Sequence, residues 1–207
     1  MNIQVDHSHY NDLEYNEKGR FCSYWHQIDL TLRQKPSRVL EIGTGNGIVK
    51  YALQKYGIGV DSIDIDEKLN PDIIGSVLAM PIAANSYDTI LCCQVLEHLP
   101  YEQFVPALKE IRRVTRKHLI LSLPDLARLY KIGIKVPVLG EFKYIYKLPR
   151  LKPLHWEFNG EHYWNISCEG YELKKIARDI ETAGFRIEGT FNVFEMLWHR
   201  FFVLTKS

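Results

Sequence analysis

The 207-residue sequence lacks several features that would direct a reading early. It has no excess charge of either sign, with 26 Lys and Arg against 25 Asp and Glu, so no global field favours a nucleic acid or an anionic surface. Its four cysteines, Cys22, Cys92, Cys93 and Cys168, show no Cys-x-x-Cys spacing. This disfavours a zinc site and reads as reduced thiols, hence a cytoplasmic protein. No run approaches the ~18 apolar residues of a membrane span, and residues 1 to 20 carry no apolar targeting core. With 46% hydrophobic residues the chain can bury one substantial core but not two of ordinary size. It therefore reads as a single domain over 1–207.

What is present centres on Val39-Leu40-Glu41-Ile42-Gly43-Thr44-Gly45-Asn46-Gly47. A short β-type run meets three glycines at alternate positions, and Ile48, Val49, Ala52, Leu53 and Tyr56 follow at helical spacing. The pattern is strand, tight turn, helix, in which glycine admits positive φ and lets bare backbone approach a ligand. Spacing narrows the class. A phosphate loop needs Lys-Ser/Thr after its last glycine, but Ile48 and Val49 stand there. A dinucleotide fingerprint needs Gly-x-Gly-x-x-Gly, and Glu41 beside the turn would repel a pyrophosphate. A carboxylate there suits a cationic ligand.

At these residues the sequence resembles the class I S-adenosylmethionine-dependent methyltransferases, whose first motif is Glu/Asp-x-Gly-x-Gly-x-Gly. The aspartate-led strand Tyr87 to Cys93, running into Gln94-Val95-Leu96-Glu97-His98-Leu99-Pro100, is a second mark. The resemblance implies an α/β, Rossmann-like seven-stranded sheet in the order 3-2-1-4-5-7-6, the last strand antiparallel, with helices on both faces. It implies S-adenosylmethionine as cofactor and S-adenosylhomocysteine as product. The cofactor would be held by Glu41, Gly43, Thr44, Gly45, Asn46 and Gly47, by Asp64 on the ribose with Ile65 against adenine, by Ser76 and Val77 at the base, and by Gln94 at the methionine. An N-terminal helix would cover it, with Tyr24 or Gln27 in contact. Related enzymes often carry an acid where Ser76 stands, and base-methylating enzymes carry Asp/Asn-Pro-Pro-aromatic where Gln94 stands; this chain has neither.

Taken in order, residues 1–35 read as a cap: a loosely held arm to Lys18, then a helix from Phe21 to Gln34 with Phe21, Trp25, Ile28 and Leu32 on one face. Residues 36–125 form the cofactor-binding half, with strands over Ile58 to Asp64, Ile73-Ile74, Tyr87 to Cys93 and His118 to Ser122. Asp61 is expected only to be solvated. Gln94, Glu97 and His98 would share one helical face, but glutamine is a poor metal ligand and no metal is expected. Residues 126–169 show no clean period and mix aromatics with seven Lys/Arg against three Glu over 126–167; they read as a substrate lid for an anionic or sugar-like acceptor. Residues 170–207 close the sheet with a helix ending at Gly184 and strands Phe185 to Val193 and Phe201 to Thr205, Trp198, His199 and Arg200 being surface turn residues between them.

The expected activity is methyl transfer to an oxygen or nitrogen of a small molecule, with His98, His155 or His162 as candidate proton acceptors, His98 and His162 foremost. A protein or saccharide chain is the alternative acceptor, and a cofactor-binding module without catalysis the alternative class; a nicotinamide oxidoreductase has the wrong glycine spacing. No nucleic-acid partner is expected, and oligomeric state is open.

Overall fold

The computed structural model describes residues 9, 10 and 12–207; the arm's remaining residues lie outside it. β1 (Arg38–Ile42) is a nearly continuous apolar run, as a strand covered on both faces requires, and its Val39, Leu40 and Ile42 are buried. It pairs in parallel with β2 (Gly59–Asp64) on one side and β4 (Tyr87–Cys93) on the other. β3 (Ile73–Ile74) extends the sheet beyond β2, and β5 (Thr115–Pro124) extends it beyond β4. β8 (Phe185–Asn192) and β9 (His199–Lys206) complete it, β9 running antiparallel to both β5 and β8. The order β3-β2-β1-β4-β5-β9-β8 is the expected seven-stranded one.

One face of the sheet is covered by α3 (Phe104–Val114) and α4 (Leu173–Thr182). α3 buries Phe104, Ala107, Leu108, Ile111 and Val114, a helical stripe, and α4 buries Ile176 and Ile180. Gly184, at φ +90°, ends the segment after α4. The other face is covered by α1 (Lys18–Arg33) and α2 (Ile48–Lys55), the latter through Val49 and Leu53.

α1 departs from expectation. Phe21 and Trp25 are 49% and 57% exposed, and the buried line is Ser23, Gln27 and Thr31. Ser23 Oγ meets His199 Nδ1 at 2.8 Å and Thr31 Oγ1 donates to the Gln27 carbonyl at 2.7 Å, so the polar stripe finds partners inside. Ile28 and Leu32 are only half-buried.

The segment after β5 also differs. β6 (Leu129–Val136) and β7 (Gly140–Lys147) form an antiparallel hairpin outside the main sheet. The irregular stretch behind it returns to the core, burying Trp164, Ile166 and Cys168. His199 and Arg200 are buried at the start of β9 rather than exposed in a turn. Arg200 Nε donates to Asp125 Oδ2 at 2.7 Å, and Ser167 Oγ donates to Asp125 Oδ1 at 2.7 Å, tying β9 to both ends of the insertion. Asp61, expected merely in solvent, accepts from Arg38 and from the Tyr87 hydroxyl, each at 2.8 Å.

Candidate functional site

The carboxyl ends of β1, β2, β3, β4 and β5 share one edge, where open parallel sheets take their ligands. At the end of β1 the chain turns through Gly43, Gly45 and Gly47 with φ of +83°, +51° and +72°. Gly43 is the most constrained: a Cβ there would lie 2.6 Å from Val95 Cγ2, so the turn is pressed against the segment leaving β4. Asp64, at the end of β2, accepts from Thr44 N at 2.8 Å through Oδ2 and from Asp66 N at 3.0 Å through Oδ1, which fixes the carboxylate beside the turn. Ser76 Oγ accepts from Leu78 N at 3.2 Å, Val77 is buried and Ile65 is half-buried at the same edge.

Glu41 decides the chemistry. Its side chain is buried and lines the pocket under the turn, and its Oε2 has no hydrogen-bond partner among the described residues. Burial pushes its carboxyl up to about 8, with Asp64 and Asp72 adding to the rise and Lys50 opposing it. Lys50 is itself committed to an ion pair with Asp72. An acid held this way, with no hydrogen-bonded cation among the described residues, is ready for a ligand's positive charge.

The N-terminal segment forms the pocket's other wall. Tyr24 and Gln27 line it together with Glu41, Gly43, Thr44, Gly45, Asn46 and Gln94. Asn46 Nδ2 reaches Asn16 Oδ1 at 2.7 Å and the Tyr24 hydroxyl at 3.0 Å, joining arm, helix and turn. The arm is less loose than its composition suggests: Tyr10 and Tyr15 line the pocket with their rings edge to face at 5.3 Å, and the Arg20 guanidinium lies 3.8 Å from the Tyr15 ring centre. With these rings in place about 70 Å³ is left, against the ~300–1,000 Å³ of small-molecule sites. A cavity of about 300 Å³ continues on the far side of the turn beside Lys50, Lys68 and Asn70, and Tyr10, Thr44, Gly45 and Asn46 line both spaces. Tyr10 thus stands between the two spaces.

Beyond β4 the expected helical face does not form. Leu96–His98 is a single 3₁₀ turn, and Gln94 stands before it at φ +56° with its amide donating to Ser122 Oγ at 3.1 Å. Glu97 and His98 are joined instead by His162, from the stretch behind the hairpin. One ligand atom from each of the three lies within 4.8 Å of the others. His98 Nδ1 meets the Glu161 carbonyl at 3.0 Å and His162 Nδ1 meets Asn165 Oδ1 at 2.9 Å, so each ring donates there and keeps Nε2 as its lone pair. Glu97 is fully buried with neither oxygen hydrogen-bonded among the described residues, and burial pushes it up to about 8. Where sequence spacing offered Gln94 and no metal, the fold gathers one carboxylate and two imidazoles, a donor set able to hold a divalent ion. His155 lies apart, exposed between Glu157 and Glu169.

Residues 40–122 match the family model described as a methyltransferase domain. Over this stretch, from β1 to β5, the chain is similar to methyltransferase domains. No curated relative matches it at a significant level. Among solved structures, the fold is shared with 1,6-didemethyltoxoflavin-N1-methyltransferase of Burkholderia thailandensis, at 13% identity and TM-score 0.62, over 95% of this chain and 82% of that one. It is shared with magnesium protoporphyrin IX methyltransferase of Synechocystis, at 17% identity and TM-score 0.63, over 91% and 84%. The [4+2]-cyclase SpnF matches at 13% identity and TM-score 0.55, over 82% and 74%.

S-adenosylmethionine is the cofactor that the resemblance implies, and the residues present fit it. The unpartnered Glu41 carboxylate faces a pocket suited to a ligand with positive charge and no phosphate, and the glycine turn leaves backbone open beside it. Sequence reasoning missed Tyr10, Tyr15, Arg20 and His199 in the pocket wall. His199 Nε2 is buried without a partner, and burial, with Arg20 and His162 nearby, lowers its pKa to about 3. Nothing local marked it, because its place depends on β9 pairing with β5.

Proposed function

We propose that the protein transfers the methyl group of S-adenosylmethionine to an oxygen or nitrogen atom of a small molecule. The observation that carries this reading is the buried, unpartnered Glu41 carboxylate under the glycine turn. In this proposal Glu41 holds the ligand's positive charge, Asp64 accepts from the ribose hydroxyls, Ser76 and Val77 border the adenine and Gln94 the methionine. S-adenosylmethionine supplies an electrophilic methyl group on sulfonium. The chain's own task is then to align an acceptor, an effect that can reach ~7–11 kcal/mol in favourable cases. His98, depressed in pKa mainly by burial and then by His162, is neutral near pH 7 and retains the Nε2 lone pair. It takes the acceptor's proton, with His162 beside it at 5.0 Å between ring centres, an effect of order 10²- to 10⁴-fold. The segment 126–169 stands after β5 on the same edge and acts as the lid that selects the acceptor.

A second reading is a domain that binds the cofactor without methylating anything, and the shared fold of SpnF, which is named a cyclase, favours keeping it. The test is calorimetric titration with S-adenosylhomocysteine, followed by methyl-labelled S-adenosylmethionine offered to hydroxyl- and amine-bearing acceptors, saccharides and proteins included. Binding with label transfer that falls at least tenfold in His98→Ala, at unchanged cofactor affinity, supports the proposal. Binding with no transfer favours the second reading, and no binding overturns both.

A further inference from the structure

The β6–β7 hairpin presents its apolar face outward. Strand alternation places Tyr130, Ile132 and Ile134 on one face with Phe142 and Tyr144 opposite them, and every one of these side chains is at least 39% exposed. Tyr130 stacks on Tyr146 at 5.6 Å, so the face continues as an aromatic pair at its base. The opposite face carries Lys131, Lys135, Lys143 and Lys147; Lys131 and Lys143 lie 5.4 and 5.3 Å from the Phe194 ring, which turns this basic side toward the body of the protein. At the tip, Val138 and Leu139 are 106% and 72% exposed. A two-stranded ribbon is marginal in water by itself, and a contiguous exposed apolar face is an interaction surface.

Charge identifies the occupant. Between Arg128 and Lys152 there are seven Lys/Arg and one acid, whereas the whole chain is balanced at 26 against 25. The overall neutrality that disfavoured an anionic surface therefore conceals one strongly cationic ribbon. A projecting apolar tip, tyrosines with a polar end, and lysine stems able to reach back toward water are the features of an interfacial anchor.

We propose that the β6–β7 hairpin docks the protein on an anionic lipid bilayer, with Val138 and Leu139 inserted at the tip and the cations not held against the body, Lys135 and Lys147 among them, drawn to the headgroups, Lys143 being paired with Glu195. The ribbon follows β5 at the carboxyl edge of the sheet, so docking would hold the cofactor-side edge near the membrane. This inference does not depend on methyl transfer.

The test is flotation of the full-length protein with vesicles of phosphatidylcholine alone and with added phosphatidylglycerol. Binding is expected only to the anionic vesicles, weakening on going from about 0.1 M to about 0.5 M salt as screening shortens the field. Val138→Asp with Leu139→Asp should weaken it at least tenfold, and Lys135→Glu with Lys147→Glu by roughly fivefold or more for each cation reversed. Both double variants alter exposed side chains and should keep the wild-type melting temperature. Equal recovery on both vesicle types, or a tip variant that floats like the wild type, overturns the proposal. So does a stable dimer in sedimentation that the tip substitutions dissociate, because the face would then belong to a second copy.

Discussion

Replacing Glu41 by Gln tests the central electrostatic claim without changing shape. In the folded protein burial raises this carboxyl from its ordinary 4.5 to about 8, so between those values the folded state holds a proton that the unfolded state has lost. Stability must then fall as pH rises through that window, at about 1.4 kcal/mol per pH unit and on the order of 5 kcal/mol across it, less whatever local relaxation recovers. Below the window both states are protonated and the group is neutral in effect; above it the full penalty persists. Glu41→Gln cannot ionise, so the stability difference between variant and wild type should grow in the variant's favour from about pH 5 to about pH 8. Urea denaturation across that range measures it. The product S-adenosylhomocysteine should show the opposite preference: its ammonium needs the ionised acid, so wild-type affinity for it should rise up to about tenfold per pH unit below pH 8 and be nearly flat in the variant. A stability difference that stays constant with pH would refute the buried, uncharged Glu41.

Gly43→Ala places a methyl 2.6 Å from Val95 Cγ2 at a φ of +83°; a loss of roughly 1–3 kcal/mol in stability and a clear loss of cofactor binding are expected, and an unchanged melt would show that the turn is free to relax. Arg200→Met leaves Asp125 buried at 1% exposure without its cation, for an expected loss of ~3–5 kcal/mol. The double variant with Asp125→Leu should regain much of that in denaturant titration, and failure to regain any would place the cost in packing rather than charge.

What the sequence disclosed and what it withheld divide along a physical line. β1, its glycine turn and α2 were legible because their signals are local: an apolar run, residues that tolerate positive φ, and a helical period in consecutive positions. The same holds for β2 ending in Asp64 and for the stripe of α3. The α1 face was misread because hydrophobicity alone predicts burial of Phe21 and Trp25, whereas the interior beside the site offers a hydrogen-bond partner for Ser23 and a pocket wall for Gln27 instead. The β6–β7 hairpin did carry a signal, the alternation from Tyr130 to Val136, but seven cations among aromatics disguised a strand whose apolar side faces out.

His162, His199 and the Asp125–Arg200 pair had no local mark at all. Their partners lie 63 or more positions away by chain: His162 joins His98 across the mouth of β4, His199 meets Ser23 and Arg200 meets Asp125. Such pairings exist only once β9 has inserted antiparallel beside β5 and the stretch behind the hairpin has returned to the core. The division has a functional consequence. The glycine turn is built from consecutive residues and can be read from them alone, whereas the cluster of Glu97, His98 and His162 is assembled from segments remote in sequence. In the function proposed above, acceptor selectivity resides in the contacts among these three residues and the returning segment, which no single stretch of sequence encodes.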